Sequence, residues 1–146
     1  MFSYPASYVF DEASGEYQIH FRDFPEVQSV TYSVEDVELE AQDSVKSAIA
    51  MEMEERRPIP EPSVLQADEF AVHLPMLVTL KAELHNAMIA TGTRKADLAR
   101  KLGLNAAQMD RLLDVDYASK VEVLEQALFL LGYEAHAVVR KIDVEN

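Results

Sequence analysis

Residues 95–113, KADLARKLGLNAAQMDRLL, constrain this chain more than any other stretch. They read as two short helices joined by a tight turn. Ala99 is small enough to let the second helix cross the first closely. Gly103 can take the positive φ that ends the first helix. Met109 and Leu112 point back toward a core, with Leu98 and Leu102 completing the inner face of the first helix. Asn105 and Gln108 form a capping-box-like start for the second helix. Arg94, Lys95, Arg100 and Lys101 crowd the outer side.

Counted from Ala99, the positions Gly103, Met109 and Leu112 fall at the offsets of a DNA-binding helix-turn-helix. A plain helical hairpin is the bland alternative, and the local basic cluster favours the first reading. If the helix over 106–114 enters a major groove, Met109, Leu112 and Leu113 face inward while Ala107, Gln108 and Arg111 face the bases. Gln108 suits adenine N6 and N7, Arg111 suits guanine O6 and N7, and Ala107 suits a thymine methyl. Asp110 and Asp114 repel phosphate, so the N-terminal turn leads. Arg94, Lys95 and Lys120 would hold the flanking backbone. The candidate DNA-binding set is therefore Arg94, Lys95, Asn105, Ala107, Gln108, Arg111 and Lys120.

The formal net charge of −13 opposes a general affinity for nucleic acid. Its distribution does not. Residues 1–70 hold 16 acids and 4 bases, residues 71–146 hold 10 and 9, and residues 93–120 hold 4 acids against 6 bases. The acidic first half points to a basic partner, or simply to a well-solvated surface. There is no cysteine, so disulfides and thiolate metal sites are excluded and a reducing cytoplasm is the expected setting. No signal-peptide-like start and no apolar run near ~20 residues is seen, so no membrane association is expected.

Along the chain, residues 4–10, 17–22 and 27–32 are expected as strands, with Gly15 in the first turn and Tyr17, Ile19 and Phe21 alternating inward. Ser33 and Asp36 suggest a capping box for a long helix to about Glu55, with Val34, Val37, Ala41, Val45 and Ala48 on its inner face. The prolines of 56–63, RRPIPEPS, predict an ordered, extended connection. Phe70, Val72 and Leu74 give a fourth strand. Pro75 fits the first turn of the next helix, whose inner face is Leu77, Leu80, Leu84, Ala87 and Met88 and which Gly92 stops. A further capping box at Ser119–Glu122 opens a last helix, ended by Gly132. Residues 133–142 are expected as a C-terminal strand that pairs with its two-fold mate in a homodimer or higher oligomer.

Tyr4-Pro5, Gly15 with Tyr17, Phe21-Arg22-Asp23-Phe24-Pro25-Glu26 and Ile59-Pro60-Glu61-Pro62-Ser63, in that order and spacing, resemble the HicB antitoxin family of HicA–HicB toxin–antitoxin modules. The remainder is similar to the subgroup that appends a helix-turn-helix. Arg22 stands where the family usually has proline, and Thr31 where a glycine commonly precedes the long helix. The resemblance implies an α+β protein. Residues 1–74 would form a partial ribonuclease-H-like βββαβ domain that neutralises a small basic HicA-type ribonuclease toxin. Residues 75–146 would form an all-α, Xre/Cro-like helix-turn-helix domain with a C-terminal β-strand, which dimerises and binds operator DNA of its own operon. A stand-alone dimeric regulator with an N-terminal ligand-binding domain is the alternative.

No enzymatic activity, metal or cofactor is expected. Asp11, Asp23, Glu38 and Asp68 invite a two-metal nuclease reading, but nothing in their spacing makes them converge. His20, His73, His85 and His136 lack paired-ligand spacing. The serines lack a neighbouring base motif. Met51 and Met53 near the end of the long helix suit core filling or exposure better than an adaptable contact surface.

Overall fold

The computed structural model describes residues 3–142. Three strands, β1 (Ser3–Asp11), β2 (Glu16–Phe21) and β3 (Ser29–Thr31), lead through a short 3-10 turn (Val34–Asp36) into α1 (Val37–Glu54). β4 (Phe70–His73) follows, then α2 (Met76–Thr91), α3 (Lys95–Leu102), α4 (Ala106–Leu112) and α5 (Val121–Leu130). The strand order is β3-β2-β1-β4, and every neighbouring pair is antiparallel. The protein is thus α+β, with the βββαβ order expected of its first half.

Strand alternation works as the period-two pattern predicts. Tyr4 and Ala6 of β1, Ile19 and Phe21 of β2 and Val72 of β4 are buried on one face, where α1 covers them. The inner face of α1 is Val37, Ala41, Val45 and Ile49, spaced four apart. Ile49 replaces the expected Ala48, which is only partly buried, and Val34 is exposed in the 3-10 turn. The Ser33 capping box does not form, because Ser33 donates its hydroxyl to Glu35 and the chain enters α1 through the 3-10 turn. α1 is tied to the sheet by Gln42, which donates to the His73 carbonyl at 2.8 Å, and by the Ser44–Ser29 hydroxyl pair at 2.8 Å.

The proline-containing connection is ordered by side chains from three directions. Tyr4 donates its hydroxyl to Pro60 O at 2.6 Å. Asn86 of α2 accepts from Ile59 N at 2.8 Å and donates to Ile59 O at 3.0 Å, as a strand neighbour would. Asp23 accepts from both the backbone N–H and the hydroxyl of Ser63. Ile59 is buried in the core beneath these bonds.

Two hydrophobic clusters result, and α2 contributes to both. Val78 and Ala82 join the sheet cluster, as does Val115 from the loop after α4. Leu84, Ala87 and Met88 join Leu98, Ala99, Met109, Leu112, Leu124, Ala127 and Leu128 in the second. The inner face of α2 is therefore wider than the sequence pattern suggested, and Leu77 and Leu80 are only partly buried.

The expected strand over 133–142 is absent from the single chain. Among the described residues this segment has no ladder partner, and Val138 and Val139 are 77% and 93% exposed. A strand exists only where another supplies hydrogen bonds, so alternation alone could not make one. The second expected capping box, at Ser119, also fails: Lys120 is the N-cap of α5 and makes no side-chain cap bond.

Candidate functional site

The α3–turn–α4 unit is built as its residues dictate. Gly103 takes φ 69°, and Leu104 N–H then donates to Ala99 O at 2.9 Å, closing α3. Asn105 and Gln108 form the reciprocal capping box: Gln108 N–H donates to Asn105 Oδ1 at 2.8 Å, and Asn105 N–H to Gln108 Oε1 at 2.9 Å. Leu98 and Met109 are fully buried, with Ala99 and Leu112 beside them. Asn105, Ala107, Gln108 and Arg111 are all exposed on α4 or at its start. Gln108 is already engaged through its amide oxygen, which leaves Nε2 as its uncommitted donor.

The expected phosphate-facing residues divide. Lys95, in the first turn of α3, pairs with Asp110 of α4 at 2.8 Å and so bridges the two helices. Arg94, the N-cap of α3, is exposed, and so is Lys120 before α5. Arg100 pairs with Asp97 on its own helix. Arg111 lies over the Tyr117 ring with 5.8 Å from Cζ to the centroid.

Sequence reasoning missed the residue that positions α4. Lys81 of α2 is fully buried, and its ammonium donates to Arg111 O at 3.0 Å, Asp114 O at 2.6 Å, Tyr117 O at 2.8 Å and Ser119 Oγ at 2.8 Å. Three of these are carbonyls at the C-terminal end of α4 and in the following loop, which lack an i+4 helical donor and otherwise accept only one turn-type N–H each. A cation suits that end of a helix. Burial pulls the Lys81 pKa down from its ordinary value, while Asp114 opposes that shift. The bond to Lys81 also explains why Ser119 is not free to cap α5. A lysine interrupting the run LVTLKAEL was the available signal. The same loop reaches the first unit, where Val115 enters the sheet core and Asp116 pairs with Lys46 of α1 at 2.9 Å.

On the first unit, Arg22 makes a two-pronged ion pair with Glu69, at 2.7 and 2.8 Å, and donates to Val64 O at 2.6 Å. That pairing holds the Glu69 carboxyl below its ordinary range, the Arg22 hydrogen bond being the largest cause. Burial pushes the Tyr4 hydroxyl pKa up, with Glu61 and Asp23 adding to it. Met51 is exposed beside Lys46, Val115 and Asp116 on an open cleft, whereas Met53 packs against the core. Among the described residues, no group of three or more His, Asp or Glu could hold a metal ion.

Residues 3–83 match the family model described as "HicB_like antitoxin of bacterial toxin-antitoxin system". This chain belongs to that HicB-like family. The chain is 34% identical to Antitoxin HicB of Pseudomonas fluorescens, over 83% of this chain and 84% of the relative. It is 32% identical to Antitoxin HicB 2 of Photorhabdus laumondii (88% and 90% covered) and 28% identical to Antitoxin HicB of Escherichia coli (86% and 91% covered). The HicB-like match spans the whole βββαβ unit and the first half of α2. It therefore contains the Arg22–Glu69 pair, the pinned proline segment and Lys81. The matches to the named HicB antitoxins cover 120 or more residues and so run past residue 83 into the helices beyond. No described helix is long and apolar enough to cross a membrane.

Proposed function

We propose that this HicB-like protein neutralises a small, basic, mRNA-cleaving HicA-type toxin through its βββαβ unit and represses its own operon through the α3–turn–α4 unit, working as a dimer in the cytoplasm. One observation carries the reading: a family match over the acidic first half is joined to an outward-facing α4 with a formed capping box, in a stretch over 93–120 where bases outnumber acids by 6 to 4. The 16 acids against 4 bases in residues 1–70 favour capture of a basic protein, in which complementary charge raises the association rate. Exposed Ala107, Gln108 and Arg111 on one face of α4 favour base readout, with Arg94, Lys95 and Lys120 on phosphates.

Dimerisation would come from the exposed C-terminal segment, whose apolar Val138, Val139 and Ile142 gain a partner only from outside the chain. A two-fold dimer is what a palindromic operator requires. On this reading the βββαβ unit serves as a partial ribonuclease-H-like scaffold that binds and does not cleave.

Co-expression with the adjacent small basic open reading frame, followed by co-purification and a growth assay, tests the proposal. A stable complex and rescued growth are expected. Growth arrest that persists despite soluble expression of both would overturn the antitoxin reading and favour a stand-alone regulator.

A further inference from the structure

β1 is nine residues long but is covered unevenly. It pairs with β2 from Ala6 to Asp11, and with β4 only from Ser3 to Ala6. β4 stops at Phe70, opposite Ala6. From Ser7 to Asp11 the side of β1 away from β2 therefore has no strand among the described residues. Alternate backbone N–H and C=O groups along that stretch face the open side.

Such an edge is ordinarily blunted by lysine, proline, a bulge or a covering loop. The sequence there, SYVFD, contains no lysine or proline, and its pairing with β2 is regular. Instead Tyr8, Val9 and Phe10 are 44%, 57% and 48% exposed. Three consecutive exposed apolar residues on an open edge form a binding feature or a hazard.

The surroundings specify the partner. Tyr8 and Phe10 lie on the core side of the sheet and extend it as an aromatic shelf. Tyr17 is 5.8 Å from Tyr8 and 4.8 Å from Phe10, and Phe70 is 6.3 Å from Tyr8, centroid to centroid. Asp11, Glu12 and Glu16 close the hairpin at the end of the shelf. Asp11 and Glu16 stand directly opposite each other, an arrangement that costs stability unless a cation relieves it. The only Lys or Arg in residues 1–45 is Arg22, which is committed to Glu69. A second copy of this edge carries no uncommitted lysine or arginine to relieve that acid, whereas a basic strand does.

We infer that residues 7–11 of β1 take up the basic toxin by strand addition: an extended segment of the toxin pairs with the open edge, its side chains rest on Tyr8 and Phe10 on one face and Val9 on the other, and its lysines or arginines meet Asp11, Glu12 and Glu16. The inference rests on the toxin-binding reading above and names the surface that performs it. Main-chain hydrogen bonds supply affinity, while the alternating apolar side chains and the acidic tip supply selectivity.

The test uses the full chain and the toxin of the same module inactivated at its catalytic residue. Binding should slow hydrogen exchange at alternate amides within 7–11. Val9→Lys and the uncharged Tyr8→Ser/Phe10→Ser double variant should each weaken binding about tenfold or more, with thermal melts checking that both fold. Wild-type affinity in both disruptive variants, or protection confined to other elements, overturns the inference while leaving toxin binding intact. No binding by the wild-type chain overturns the parent reading as well. A changed oligomeric state of the free Val9→Lys variant would give the edge to a second copy, and that too overturns it.

Discussion

The two hydrophobic clusters of this protein are held in place by opposite means. The sheet cluster joins Tyr4, Phe21 and Phe24 to α1 through contacts distant in sequence, and many polar bonds share the work: Tyr4 to Pro60, Asn86 to Ile59, Asp23 to Ser63, Arg22 to Glu69. The helical cluster is made of leucine, alanine and two methionines on α2 to α5, and one buried cation, Lys81, fixes the end of α4. Dispersed restraint tolerates the loss of any one bond. Concentrated restraint does not. α2 is the shared wall, and residues along its whole length answer to both units.

The largest expected effect breaks that shared wall. A chain ended after Leu74 loses Val78 and Ala82 from the sheet core and Asn86 from Ile59, and should fail to fold. One ended after Thr91 keeps all three and should give a cooperative melt by circular dichroism. Equal stability of the two would deny α2 its part in the first unit.

Lys81→Met should come next. It removes the charged donor that the carbonyls of Arg111, Asp114 and Tyr117 have besides one backbone N–H each, at a cost of about 2 kcal/mol in chemical denaturation. Operator binding should fall with it, while toxin binding by the folded fraction is retained.

Smaller effects sharpen the side proposed to face DNA. Arg111→Ala should lose roughly 1–3 kcal/mol on the true operator and relax preference at one base pair per half-site. Equal losses on a scrambled duplex would remove Arg111 from base readout. Lys95→Ala should weaken binding to all sequences alike and reduce the salt slope by about one, as read by titrations at several salt concentrations. Its existing bond to Asp110 keeps this effect modest.

The smallest effect is a titration. Burial, then Glu61, raises the Glu83 pKa above the ordinary carboxyl range. The folded state thus holds this proton to a higher pH than the unfolded chain, so stability from this group is full at acid pH and is lost as pH rises through the raised value. Glu83→Gln should raise the melting temperature slightly at pH 7, and that difference should vanish near pH 4.

Local chemistry was legible where a residue's partner sits within a few positions and no other group competes for it. The Asn105–Gln108 box, the positive φ of Gly92 and Gly103, the alternation of Ile19 and Phe21 and the ordered proline segment all appear as their residues implied. Ser33 and Ser119 carry an equally good capping signature and cap nothing. Glu35 takes the first hydroxyl, and Lys81, 38 positions from Ser119, takes the second. A capping signature states what a side chain can do, and a competing partner decides what it does.

The amino-acid sequence by itself determined the element order through α5, the segregation of acid into the first half, the exposure of Asn105, Ala107, Gln108 and Arg111, and the HicB-like family. Tertiary structure alone decided that Lys81 clamps the α4 loop, that α2 serves both cores, that the segment over 133–142 forms no strand within its own chain and that β4 leaves half of β1 open. The reason is physical. Helix periodicity and turn chemistry are local properties, whereas hydrogen-bond partners for a buried lysine or a strand edge come from whatever the fold brings near.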